Sequence, residues 1–231
     1  MAKHRVTVDT GGTFSDFVFF NEDTGEISIT KVPSTPKEPF HAVLNGVGEL
    51  IDRGAAARDI SFFCHGTTVG TNTLLEEKGA KTGLLVTQGF RGIYEVMEQT
   101  RGYGPATYDL FFEKPRLLAP PYLTEEIPER VDFRGNVLTP IDEGASREAV
   151  KRLKKKGVQS VAVCFLFSFL NPAHELKIKE IFAEKFPEAS LSLSYEVLPQ
   201  IREFYRLSTT VINAYIAPVM ANYLSRLESR L

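Results

Sequence analysis

The run Asp9-Thr10-Gly11-Gly12-Thr13 holds the residue types that a phosphate and its metal ion require. Two adjacent glycines admit φ > 0 and let backbone N–H groups approach an anion with no Cβ in the way. Thr13 adds a hydroxyl, and Asp9 sets a carboxylate beside the pocket. The spacing matches neither the dinucleotide nor the Walker glycine pattern, and a hairpin rather than a helix follows. An ordinary hairpin turn carrying a hydroxyl explains the same residues equally well. Asp16, in the next alternating segment, can help hold Mg²⁺ or simply order the turn.

His65-Gly66-Thr67-Thr68 forms a second constellation, between an apolar strand and a helix. The free N–H groups of a helix start, with two hydroxyls, can bind an anion. A helix cap by Thr67 or Thr68, with His65 in a structural hydrogen bond, is the plainer reading. Asn72 stands one helical turn beyond Thr68 on the same face. It can reach the same ligand or be solvated. Arg91, Arg101, Glu95 and Glu98 read as charged surface. Cys64 and Cys164 lie in apolar strands and read as buried, inert thiols. Arg202, Glu203 and Arg206 read as a polar hinge before a helix, and His174 as local structure. No nucleophile-histidine-acid order stands out.

Strand and helix signals alternate along the chain. Arg5–Val8 and Asp16–Phe20 flank the glycine turn as strands, and Glu26–Val32 is a third. Pro33–Pro39 is a connection; Phe40, Val43, Leu44, Val47, Leu50 and Ile51 then recur with a helical period. Ile60–Cys64 is a strand that stops at His65, and Val69–Glu77 is a helix. After a strand at Thr82–Thr87 and a short helix at Phe90–Glu98 comes a long irregular excursion. Its apolar residues, among them Tyr103, Tyr108, Leu110 and Phe111, argue against disorder, and a loop of that length is often functional. Ser146–Lys156 is a helix. Ser160–Phe167 is a dense apolar strand of the kind buried on both faces. Asn171-Pro172 opens another helix, and Ser190–Ser194 is one more strand. A last helical stripe, Ile212, Ile216, Val219, Tyr223, Leu227 and Leu231, is interrupted at Pro218.

With 231 residues, 43% of them apolar, the chain can bury a sizeable core. A net charge of −2 supplies no basic field for nucleic acid or an anionic membrane. Two cysteines without metal-type spacing fit a reducing, cytoplasmic setting. The longest apolar run, Val161–Leu170, falls short of the roughly 20 residues a bilayer span needs.

Taken in order, these segments resemble the hydantoinase A / 5-oxoprolinase family, which includes subunits of ATP-dependent ketone carboxylases. Val8–Asp16 resembles its opening motif, and His65–Val69 with Asn72 and Leu74-Leu75-Glu76 its second. Arg130-Val131 with Gly135, Val137 and Pro140, Ser160–Cys164, Asn171-Pro172 with His174-Glu175, Glu196–Pro199 and Arg206–Tyr215 follow in the family's order. The resemblance covers essentially the whole chain.

It implies an α/β fold, the N-terminal half of an actin-like ATPase with a second α/β lobe. The expected parts are a phosphate-binding subdomain over 1–88, a second lobe over 89–200, and the helical start of a further domain over 201–231. It implies ATP and Mg²⁺, with Asp9 and His65 catalytic and Asp9 on the metal. Gly11, Gly12, Thr13, Asp16, Thr67, Thr68 and Asn72 would bind the cofactor. The implied activity is ATP-driven opening of a lactam or hydantoin. Ketone carboxylation and a non-catalytic nucleotide-binding or assembly module are the alternatives. A hydantoinase B-type companion and self-association are expected; nucleic acid and membrane are not. Gly70 and Thr73 stand where the family often has alanine, and 99–105 is altered near a substrate region. Family members are several hundred residues long, so this chain is expected to hold one wall of the site and to be incomplete as an enzyme.

Overall fold

The computed structural model describes residues 3–35, 38, 40–52, 56–97 and 108–230. They form two compact units, Met1–Lys78 with Val219–Leu231, and Gly79–Pro218.

The first unit begins as a hairpin. Strands β1 (His4–Thr10) and β2 (Phe14–Asn21) pair antiparallel, with Asp9 opposite Asp16 and Thr10 opposite Ser15. The period-2 alternation puts Val6, Val8, Phe17 and Phe19 on one buried face. Strand β3 (Ile27–Pro33) extends the sheet antiparallel to β2, and β4 (Ile60–Thr67) runs parallel to β1, for an order β3-β2-β1-β4. Helix α1 (Phe40–Asp52) closes the buried face, its Phe40, Val43, Val47 and Leu50 joining the strand residues in one core. Each such side chain, fully buried, contributes about 1.5–3 kcal/mol. Gly46 is the point of closest approach: a Cβ there would lie 2.1 Å from the Phe17 ring. The opposite face leaves Phe14, Ile27, Ile29 and Phe62 exposed.

Strand β4 runs three residues beyond the end expected from sequence and takes in His65 and Gly66. Its register pairs Cys64 with Thr7, on the outer face, so Cys64 is exposed rather than buried. Helix α2 (Val69–Leu75) follows.

The second unit is built on a parallel sheet of β5 (Thr82–Thr87), β6 (Thr124–Ile127), β9 (Ser160–Cys164) and β10 (Ser190–Leu193), ordered β10-β9-β5-β6. A small ladder of β7 (Arg130–Val131) and β8 (Val137–Thr139) stands apart from it. Every residue of β5 and β9 is buried, as the unbroken apolar runs predict. One sheet face packs on α4 (Glu143–Lys155) and α5 (Ala173–Lys185). The other takes Leu207, Val211 and Ala214 from the first half of α7 (Glu203–Glu228). Asn171 Oδ1 caps the start of α5 by accepting from Ala173 N at 3.1 Å. Two short helices, α3 (Ile93–Val96) and α6 (Ser194–Val197), complete the set.

Three expectations are corrected. The helix foreseen at Phe90–Glu98 contracts to α3. Tyr108, Leu110 and Phe111 are strongly exposed rather than packed; Arg101, Tyr103 and the rest of 98–107 lie outside the described residues. Helix α7 runs through Pro218 without the foreseen interruption. Packing on both sides of the proline outweighs the lost donor: Val211 and Ala214 are buried before it, Tyr223 and Leu227 after it. Of the stripe, Tyr223 and Leu227 are buried, whereas Ile212 is exposed.

Candidate functional site

The glycine turn is held from three sides within the first unit. Gly11 N donates to Phe14 O at 3.0 Å across it. Ser34, at the exit of β3, donates through Oγ to Gly11 O at 2.8 Å and through its N–H to Thr13 O at 2.9 Å. Thr68 N reaches Thr10 O at 3.2 Å from the start of α2. Neither glycine has positive φ, so conformational freedom is not why they stand here. At Gly11 a Cβ would press on Phe14 O at 3.3 Å, whereas Gly12 faces open space. A Cβ on Gly12 would meet only Asn72 Nδ2, at 3.9 Å.

That space is a cavity of about 480 Å³ lined by Thr10, Gly11, Gly12, Thr68 and Asn72. Asn72 Nδ2 donates to Thr68 Oγ1 at 3.3 Å, which fixes the two side chains together. Ion pairs stand on its rim: Arg226 with Glu38 at 3.2 Å, and Lys78 with Glu76 at 2.6 Å. Sequence reasoning missed Ser34, Glu38, Lys78 and Arg226. Residues 33–39 carry only a proline signal, and Arg226 is separated from the turn by most of the chain.

Asp9 and Asp16 lie on the other face of the hairpin. Strand alternation turns Asp9 away from Thr10, and it is exposed. Its Oδ1 is 3.3 Å from the position a Cβ on Gly66 would take, so the bare backbone of Gly66 makes room for this carboxylate. Asp16 pairs with Lys31 at 3.0 Å in a half-exposed salt bridge, which contributes little to stability. Thr13 is exposed at the tip. The two aspartates and the cavity thus flank the turn on opposite faces.

His65 and Thr67 do not line the cavity. Both belong to β4 and face its packed side. His65 Nε2 lies 2.5 Å from the Tyr223 hydroxyl, and Nδ1 is buried with no partner. Burial lowers the His65 pKa, opposed by the Asp9 charge. Burial likewise raises that of Tyr223, opposed by a hydrogen bond from Thr67. Tyr223 itself lines the cavity. Thr67 Oγ1 accepts from Val69 N at 3.2 Å.

In the second unit, strand order switches between β5 and β9, where parallel sheets commonly bind ligands beyond the carboxyl ends of the strands. Among the described residues this edge is filled. Thr87 Oγ1 donates to Glu129, accepts from Leu166 N at 3.0 Å, and Glu129 Oε2 holds His174 Nδ1 at 2.6 Å. All three side chains are buried. Beside them Glu175 Oε1 accepts from Phe165 N at 3.0 Å and from Ser194 Oγ at 2.6 Å. Arg206, fully buried, donates to Ser194 Oγ and to the carbonyls of Phe165 and Gln200. His174 and Arg206, read from sequence as local structure and a polar hinge, are core polar groups that close this edge. Burial pushes the nearby Cys164 thiol up to about 11. No cluster of three or more metal-ligating side chains occurs among the described residues, and no helix there is long and apolar enough to cross a membrane.

The chain is similar to known proteins over nearly its whole length. It is 35% identical to the caprolactamase subunit alpha of Pseudomonas jessenii, over 98% of this chain and 33% of that protein. It is 32% identical to the acetophenone carboxylase gamma subunit of Aromatoleum aromaticum, over 96% of this chain and 32% of that subunit. The crystal structure of the ATP-dependent caprolactamase from Pseudomonas jessenii superposes with a TM-score of 0.87 at 34% identity, covering 97% of this chain and 33% of that one. The chain therefore spans about a third of the length of these relatives, and it shares their ATPase-like α/β fold. The hydantoinase/oxoprolinase N-terminal region matches residues 5–186, and the chain belongs to that family.

Proposed function

We propose that the glycine-turn cavity receives the phosphates of ATP, and that the chain is the nucleotide-binding region of an enzyme that opens a cyclic amide at the expense of ATP. One observation carries this reading. Gly11 and Gly12 line the same cavity as Thr68 and Asn72, which come from a segment more than fifty residues away. The Gly11-Gly12 backbone, a threonine hydroxyl and a carboxamide line it, with the cations of Lys78 and Arg226 on the rim. Together they suit an anion with several oxygens.

Asp9 and Asp16 are hard oxygen donors, and a Mg²⁺ bound with phosphate commonly takes only one or two carboxylates. Both face away from the cavity, and Asp16 is engaged by Lys31, so Asp9 would hold that ion through water at the edge of the turn. There the ion would offset charge on the transferred phosphoryl group. Thr68 and Asn72 would orient the terminal phosphate, and Thr13 would contact it at the turn's tip. The lactam carbonyl oxygen then attacks the γ-phosphorus as the bond to ADP breaks. Water adds to the activated carbon, cleavage of the C–N bond opens the ring to an acyl phosphate, and a second water hydrolyses that to the carboxylate and free phosphate.

The similarity to caprolactamase supports a lactam, and the similarity to acetophenone carboxylase favours a second reading, a ketone enolate phosphorylated before carboxylation. Since both relatives are named as subunits, a companion of hydantoinase B type is part of the proposal. A coupled ADP-release assay over lactams, a hydantoin and aryl ketones with bicarbonate, run with the companion present, tests both readings. ADP release with ring opening supports the first, bicarbonate-dependent carboxylate formation the second. ATP binding without turnover on any substrate would leave only a nucleotide-binding module.

A further inference from the structure

We infer that Tyr223 presents its hydroxyl proton to the ligand in the glycine-turn cavity, and that His65 is a positioning residue that holds the phenol from behind. The inference rests on the proposal that this cavity takes phosphate oxygens. It moves the direct contact from His65, which does not line the cavity, to Tyr223, which does.

The argument follows from where protons can reside. His65 Nε2 and the Tyr223 oxygen are 2.5 Å apart, so one hydrogen lies between them. If the phenol supplied it, the neutral imidazole would carry its own proton on Nδ1. That atom is buried and has no acceptor. A buried N–H donor without a partner is among the rarest defects in folded proteins, whereas a bare acceptor is better tolerated. The tautomer with hydrogen on Nε2 avoids the defect. His65 then donates to the phenol oxygen, and the phenol proton must point elsewhere.

The hydrogen bond that the structure shows at the Tyr223 oxygen is the one with His65. With Nε2 protonated, His65 can only donate there, so the phenol hydrogen is left for the cavity, which Tyr223 lines together with Thr10 and Thr68. Burial acts in the same direction on both groups, favouring neutral imidazole and neutral phenol. The result is an O–H donor toward an anionic oxygen, backed by a His65 N–H that cannot take the proton away.

Two measurements on the whole chain test this. Two-bond ¹H–¹⁵N correlations of the His65 ring at neutral pH report the tautomer without any ligand. The inference requires hydrogen on Nε2; hydrogen on Nδ1 overturns it whatever the cavity binds. Titration with Mg-ATP, followed by NMR, then compares the wild-type chain with Tyr223→Phe. Loss of one hydrogen bond to a charged ligand should weaken binding about tenfold or more, in a variant whose amide spectrum shows an intact fold. Equal affinity in a folded Tyr223→Phe overturns the inference. Absence of binding by the wild type overturns the phosphate reading and the ligand half of this inference together. Should Tyr223→Phe lose its fold, 3-fluorotyrosine at 223, with its more acidic hydroxyl, must change the affinity of a folded protein, and no change overturns the inference.

Discussion

At the scale of single residues, the proposed chemistry falls on groups that stabilise little. Asp9 is exposed on the outer face of β1, so Asp9→Asn should leave the thermal unfolding curve unchanged. In the companion-bearing enzyme it should lower ADP release by about a hundredfold or more, the scale of losing one charge-stabilising group. Wild-type turnover in that variant would remove Asp9 from the proposed role. Gly12→Val separates binding from folding in a different way. The cavity beyond Gly12 has room for a Cβ, and a branched side chain would fill the space beside Asn72. Mg-ATP affinity should fall at least about tenfold with no loss of stability; a drop in melting temperature with affinity kept would reverse the assignment. The thiols give a third check. Cys64 is exposed, whereas Cys164 is buried with its pKa pushed up to about 11. Ellman's reagent should titrate one thiol in the folded chain and a second only after denaturation. Gly11, Gly12, Thr68 and Asn72, which line one cavity, were legible from sequence at this scale. The environment of Cys64 was not, because a strand's inward face depends on register with Thr7 of β1, more than fifty residues earlier.

At the scale of elements, strand and helix identities were readable because alternation and helical period are local. Their ends were not. Strand β4 runs on through His65 because β1 continues beside it as far as Thr10 and supplies partners in register. That pairing turns a ligand-loop histidine into a strand histidine. Gly46 shows what element packing demands: α1 sits so close to β2 that Gly46→Ala drives a methyl into the Phe17 ring. Overpacking of that kind costs about 1–3 kcal/mol, measurable as a lower urea midpoint with unchanged slope. An unchanged midpoint would mean α1 can lift without cost. In the second unit, Arg206→Ala would leave Ser194 Oγ and the carbonyls of Phe165 and Gln200 without this donor. The expected loss is about 1.5–3 kcal/mol. A loss within experimental error would mean this network contributes nothing. The partners Thr87, Glu129 and His174, like Glu175 and Arg206, lie far apart in sequence, and no local pattern announces that they converge.

At the scale of the molecule, the chain divides its labour. The second unit spends its carboxyl edge on a buried polar network, which is consistent with a stabilising lobe. The first unit leaves its glycine turn open to a cavity. The α/β class was legible because apolar strands alternate with amphipathic helices. The composition of the first unit was not, since it takes its last residues from the far end of the chain, and Tyr223 and Leu227 join its core from there. The chain spans about a third of the length of its relatives, and under the proposed reading a single phosphate turn would leave ATP partly in water, where electrostatic attraction is weak. Binding by this chain is therefore expected to be weak and best seen by a method sensitive to fast exchange. The most direct test of the account is a titration of the ¹⁵N-labelled chain with Mg-ATP, following backbone amides. The account predicts progressive shifts at Gly11, Gly12 and Thr68, absent in Gly12→Val, with the amides of β5, β9 and β10 still. Amides of the glycine turn that do not move, or shifts confined to residues 79–218, would contradict it.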